Sequence, residues 1–170
     1  MTMEEANESL ISTLQGFELQ AENAESIVDK FNEVANNYAI DTKGIGAALQ
    51  RSAASFNAAN TDLNQSIALV TTANTIAQDP DKVGNAFTTL SARIRGSKSE
   101  LEDLGEETDA YVESTSKLRN QVKATTGVDI MKDEKTYKDV YTILVEIGKV
   151  WKDLNDIDQA KCCLYVQKCA

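Results

Sequence analysis

The sequence of 170 residues contains no histidine, a single proline and only 6% aromatic residues. The missing histidine excludes a Ser-His-Asp triad, a Cys-His dyad and His-ligated zinc. Positive charge is also scarce: 17 Lys and Arg stand against 27 Asp and Glu, a formal net charge of −10. With a sequence pI near 4.5, broad electrostatic binding to nucleic acid or to an anionic membrane surface is not expected. Apolar runs extend a few residues, far short of the roughly 20 that span a bilayer. The opening stretch, MTMEEANESL, is acidic and does not read as a secretory leader. Cysteine is confined to Cys162, Cys163 and Cys169. Such a cluster cannot staple distant segments together, which fits a reducing compartment. Its spacing matches no standard zinc pattern.

With few aromatics, the core must come from Ala, Leu, Ile and Val. These residues recur with a helical period. One stripe runs through Ala24, Ile27, Val28, Phe31, Val34 and Tyr38. A second holds Ile45, Leu49, Ala53 and Phe56. A third holds Leu63, Ile67, Val70 and Ile76, and a fourth Val83, Phe87, Leu90 and Ile94. The longest passes from Tyr137 through Val140 or Tyr141, Leu144, Ile147 and Trp151 to Leu154. Steps of three and four place these side chains on one helix face, where Trp151 is expected in the core.

The punctuation agrees. Asp79-Pro80-Asp81 reads as a cap, a proline at the first helical position and an acid in the first turn. Asp41-Thr42 and Thr61-Asp62 offer further capping oxygens. Thr2-x-x-Glu5 and Ser97-x-x-Glu100 fit the capping box. Gly16, Gly96, Gly105 and Gly127 are expected as left-handed helix ends. The expected fold is all-α, a multi-helix antiparallel bundle of about seven helices joined by short connections.

Motifs that carry chemistry are weak. Gly44-Ile45-Gly46 lacks the third glycine and the preceding strand of a dinucleotide loop. The stretch 153–158, DLNDID, offers Asp153 and Asn155 as calcium ligands, but Ile157 takes the next ligand position and no glycine follows. Carboxylates are plentiful but lie on polar faces, where nothing splits their pKa values into an acid and a base. No catalytic residue, cofactor or metal is therefore assigned. The densest charge run lies at 100–109, with Glu100, Glu102, Asp103, Glu106, Glu107 and Asp109. Arg93, Arg95 and Lys98 stand just before it. Together these nine residues are either a solvated helix end or a bipolar contact patch for a partner.

Several blocks resemble the core region of phage tail tape measure proteins. They are SIVDKFNEVANNYAI (26–40), GAALQRSAASF (46–56), SIALVTTANTIAQDPDKVG (66–84) and LSARIRGSKSELEDLGEETD (90–109). STSKLR (114–119), TGVDIM (126–131) and YTILVEIGKVWKDLNDIDQA (141–160) follow in the same order. The resemblance covers about residues 5–160. It implies a non-enzymatic structural role in tail length determination and tail assembly. The implied partners are tail tube, tail tip and assembly chaperone proteins, with self-association among copies. The implied locations are the host bacterial cytoplasm during assembly and the lumen of the virion tail.

Two features depart from that family. At ~1.5 Å per residue, one unbroken helix of this length would span only ~255 Å, short for a ruler. After Ala160 the sequence turns to KCCLYVQKCA, where cysteine suddenly appears. The expectation is a tape-measure-like domain over 1–160, a divergent tail over 161–170, and a fragment of a longer protein. The alternative is a stand-alone, phage-derived acidic protein that inhibits a host nuclease or defence complex through Glu100 to Asp109.

Overall fold

In a computed structural model of the chain, residues 2–95 and 115–167 are described. Among them are eight α-helices, two 3-10 turns and no strand; one isolated bridge joins Met131 to Tyr137. The fold is all-α, as the helical periodicity requires. The chain divides into two compact units, residues 1–88 and 89–170.

The first unit holds α1 (Met3–Gly16), α2 (Ala24–Asn37), α3 (Thr42–Ala58) and α4 (Leu63–Ala77). It also takes the first half of α5 (Pro80–Arg95). The capping reading holds in detail. Thr2 and Glu5 form the reciprocal capping box, with Glu5 N donating to Thr2 Oγ1 at 3.1 Å and Thr2 N donating to Glu5 Oε2 at 2.8 Å. Asp62 and Gln65 repeat it at 2.9 and 3.0 Å. Asp41 accepts from Gly44 N at 2.6 Å, and Asp79 from Lys82 N at 3.2 Å. Each cap satisfies backbone N–H groups that have no partner inside the helix.

Helix α3 is the centre of this unit, with α1, α2 and α4 all packed on it. Its stripe of Ile45, Leu49, Ala53 and Phe56 is buried throughout. The Phe56 ring meets Phe87 at 5.2 Å between centroids. Two ion pairs tie neighbours to α3: Lys43 to Glu5 at 2.9 Å and Arg51 to Asp81 at 2.7 Å.

Some expectations are corrected. On α2 only Ile27 and Phe31 of the stripe are fully buried, while Val28 and Tyr38 are exposed. On α4 the buried row runs through Leu63, Ile67, Val70 and Asn74, and Ile76 is 89% exposed. The helical repeat returns to the core at position 74, so an isoleucine two residues later points away. Gly16 is not a left-handed end. Glu18 takes that conformation instead, at φ 54°, and Leu19 N donates to Leu14 O at 2.8 Å. This is the hydrogen-bond pattern of a Schellman motif closed without glycine. Gly16 answers a different need: a Cβ there would lie 2.5 Å from Ala53 Cβ, where α1 crosses α3.

The second unit holds the end of α5, α6 (Thr115–Thr126), α7 (Val140–Val150) and α8 (Asp156–Gln167). Gly127 closes α6 at φ 75°, as expected of a left-handed end. Gly96, Gly105 and the Ser97–Glu100 box lie outside the described residues. The long stripe from Tyr137 to Leu154 is not one helix face. Asp139 caps α7, accepting from Thr142 N at 2.7 Å, so Tyr137 precedes the helix. Trp151 begins a 3-10 turn, whose tighter pitch breaks the spacing. The buried row is Val140, Ile143 and Ile147, and Trp151 is only half-buried. Residues 153–158 serve as a helix start, with Asn155 Oδ1 accepting from Asp158 N at 2.9 Å. Helix α8 runs on through Cys162, which is buried.

Candidate functional site

Of the nine patch residues singled out in the sequence, Arg93 and Arg95 are described. Lys98, Glu100, Glu102, Asp103, Glu106, Glu107 and Asp109 lie outside the described residues. Both arginines stand in the last turn of α5 and are half-buried. The Arg95 guanidinium lies over the Tyr137 ring, 5.6 Å from its centroid, within reach of a cation–π contact. Arg93 borders a small apolar pocket with Leu90, Ile94, Val122, Ile130 and Ile147. Within the second unit, then, both side chains lie against apolar or aromatic neighbours.

Two blocks that carry the family resemblance meet in this unit. Arg119, from STSKLR, grips Asp129, from TGVDIM, through Nε and Nη2 at 2.7 Å each. Lys123 Nζ and Met131 N donate to the same carboxylate at 3.0 Å each. The Arg119 guanidinium, the Met131 amide and Lys123 together hold the Asp129 carboxyl well below the usual carboxylate range, against a smaller opposing effect of desolvation. A two-pronged guanidinium fixes both the distance and the plane of its partner. The cluster therefore locks α6 onto the segment that follows it. Sequence reading missed this pair because ten residues and a helix end separate its members.

The first unit carries a groove of about 800 Å³ between α2 and α4. One wall is Lys30, Glu33, Val34, Asn37 and Tyr38; the other is Asn64, Ile67, Ala68, Thr71 and Thr72. Both walls repeat the same spacing of three and four, so each helix turns one face to the opening. Tyr38 is 62% exposed there. Sequence reading took Tyr38 for core because it continues the apolar period of α2.

Among the described residues, no cluster of three Cys, Asp or Glu side chains could hold a metal ion. No helix described is long and apolar enough to cross a membrane.

An all-α chain built from capped helices is the class these features define. The model of the phage-related minor tail protein family matches residues 1–163, and the chain belongs to that family. Membership gives it a structural role in a phage tail, in company with other tail proteins. No solved structure matches the chain.

Proposed function

We propose that the chain is a segment of a tail tape measure protein, acting without catalysis in tail length determination and tail assembly. The observation that carries this reading is the family match over residues 1–163, together with the seven ordered blocks that resemble tape measure cores. On this reading the partners are tail tube, tail tip or assembly chaperone proteins, with further copies of the chain itself. The chain works in the host cytoplasm during assembly and in the tail lumen afterwards. Residues 1–160 are the working domain and 161–170 a divergent tail. Arg93, Arg95, Lys98 and the acids from Glu100 to Asp109 form a bipolar contact patch.

Affinity purification of the tagged chain from host lysates, with and without phage induction, tests this reading by mass spectrometry. Recovery of tail tube, tip or chaperone proteins after induction is the expected result. Recovery of a host nuclease or defence protein in their place would overturn it. The acidic inhibitor reading, which rests on the net charge of −10, would then stand.

A further inference from the structure

We infer that residues 3–38 have a second fold, one continuous helix that pairs in parallel with the same segment of another copy of the chain. The switch belongs to the first unit alone, and its failure would leave the tape measure reading standing.

A heptad register runs through this segment without a break. Its d row is Met3, Leu10, Phe17, Ala24, Phe31 and Tyr38. Its a row is Asn7, Leu14, Ala21, Val28 and Ala35. Ten of these eleven side chains are apolar, whereas Leu19 is the one apolar side chain among the fifteen far-side positions b, c and f. Such a seam is buried by packing against a second helix that carries one too. The bundle leaves it largely unused. Of the eleven, only Phe17 and Phe31 are fully buried, while Met3 is 83% and Tyr38 62% exposed. Helix α1 packs on α3 through Ser9 and Gly16 instead, and buries Thr13. Giving up small and polar contacts forfeits little apolar burial.

The turn between α1 and α2 is weakly built. No glycine or proline occurs from Phe17 to Tyr38, and Glu18, Leu19, Gln20, Ala21 and Glu22 are all helix formers. Glu18 closes the turn in the left-handed region, at φ 54°, which residues with a Cβ avoid. Helix α2 then starts without a side-chain cap, unlike α1, α3, α4 and α7. In a continuous helix Glu18 returns to right-handed backbone and no cap is needed there. Phe17 and Phe31, which leave the core, are covered again at d.

Two features select a second copy in parallel. Asn7 is the one polar residue of the seam and stands at a, where an asparagine meeting its own counterpart fixes register. The acids beside the seam, Glu4, Glu18 and Glu25, all stand at e, and g carries Ala6, Thr13, Gln20, Ile27 and Val34. Parallel helices set e against g, so no acids face each other; antiparallel helices set e against e, acid on acid.

Sedimentation velocity of the full chain, with circular dichroism on the same samples, tests the pairing. A concentration-dependent dimer is expected. Gln20 is extended at ψ 158° and Ala21 opens a 3-10 turn, so a proline at 21 suits the bundle and breaks a continuous helix. Ala21→Pro should therefore weaken the dimer at least tenfold and leave the helix content of the monomer unchanged. Val28→Asp, a change at an exposed seam position, should weaken the dimer by a similar factor. Met3→Cys, in a chain with Cys162→Ala, Cys163→Ser and Cys169→Ser, should cross-link copies under mild oxidation, and Ala21→Pro should suppress the cross-link. A chain that stays monomeric up to about 1 mM would overturn the inference. So would a dimer that Ala21→Pro leaves intact, or one in which Met3→Cys forms no cross-link.

Discussion

Gly16 and Phe56 show what single side chains decide in this molecule. Gly16 lies where α1 meets α3, and a methyl group there would stand 2.5 Å from Ala53 Cβ. Gly16→Ala should therefore destabilise by about 1–3 kcal/mol through overpacking. Gly148 is the control, because a Cβ there meets nothing within 4 Å. Gly148→Ala should be neutral or stabilise by up to about 1 kcal/mol. Chemical denaturation of both variants checks the pair, and equal effects would refute the close-approach explanation. Phe56 is fully buried against Phe87, so Phe56→Ala should cost about 3–5 kcal/mol. Trp151 is half-buried, and Trp151→Ala should cost less, about 1–2 kcal/mol. The sequence placed both residues on apolar stripes. A lone tryptophan on a long stripe looks like core, but the stripe is cut by the Asp139 cap and the 3-10 turn at Trp151.

Several helix starts were legible, whereas of the described helix ends only the glycine end at Gly127 was. The starts at Asp41, Asp62 and Asp79 each rest on a side chain that satisfies backbone within three residues, so a short window reveals them. The ends at Glu18, Asn60 and Gln78 are left-handed without glycine, so residue type alone does not disclose them. The Arg119–Asp129 clamp has the same invisibility, because tertiary structure creates it. Its consequences are measurable. Asp129→Asn should destabilise the chain by about 1–2 kcal/mol near neutral pH, allowing for partial solvent screening of the pair. The folded-state pKa of Asp129 is depressed, so this stabilisation is fully present above the ordinary carboxylate value of about 3.9. It drains away as pH falls further toward the folded value. The stability gap between wild type and Asp129→Asn should therefore shrink below about pH 4. A gap that is constant down to about pH 2.5 would show that charge on Asp129 contributes nothing. At the capping box of α4, Asp62→Ala should lose about 1 kcal/mol, measured by thermal or urea unfolding.

Over the whole chain, the features legible in the sequence were those repeated along it. The helical period, the acidic balance and the ordered family blocks extend across most of the chain, so no single residue had to be read correctly. The groove between α2 and α4 was hidden because its walls lie some thirty residues apart, with Tyr38 and Ile67 on opposite sides. The split between residues 88 and 89 was hidden for another reason. It falls inside the unbroken stripe of α5, where no proline, glycine run or change of composition marks it. Membership of the phage-related minor tail protein family makes the molecule a tail component. The central claim is that it works as part of a ruler. Electron microscopy of phage tails measures this directly, after residues 1–160 are duplicated in frame within the gene that encodes them. If each added residue extends the ruler as helix, the tail should lengthen by up to about 240 Å. Tails of unchanged length, assembled in normal number with the duplicated protein inside them, would contradict the account.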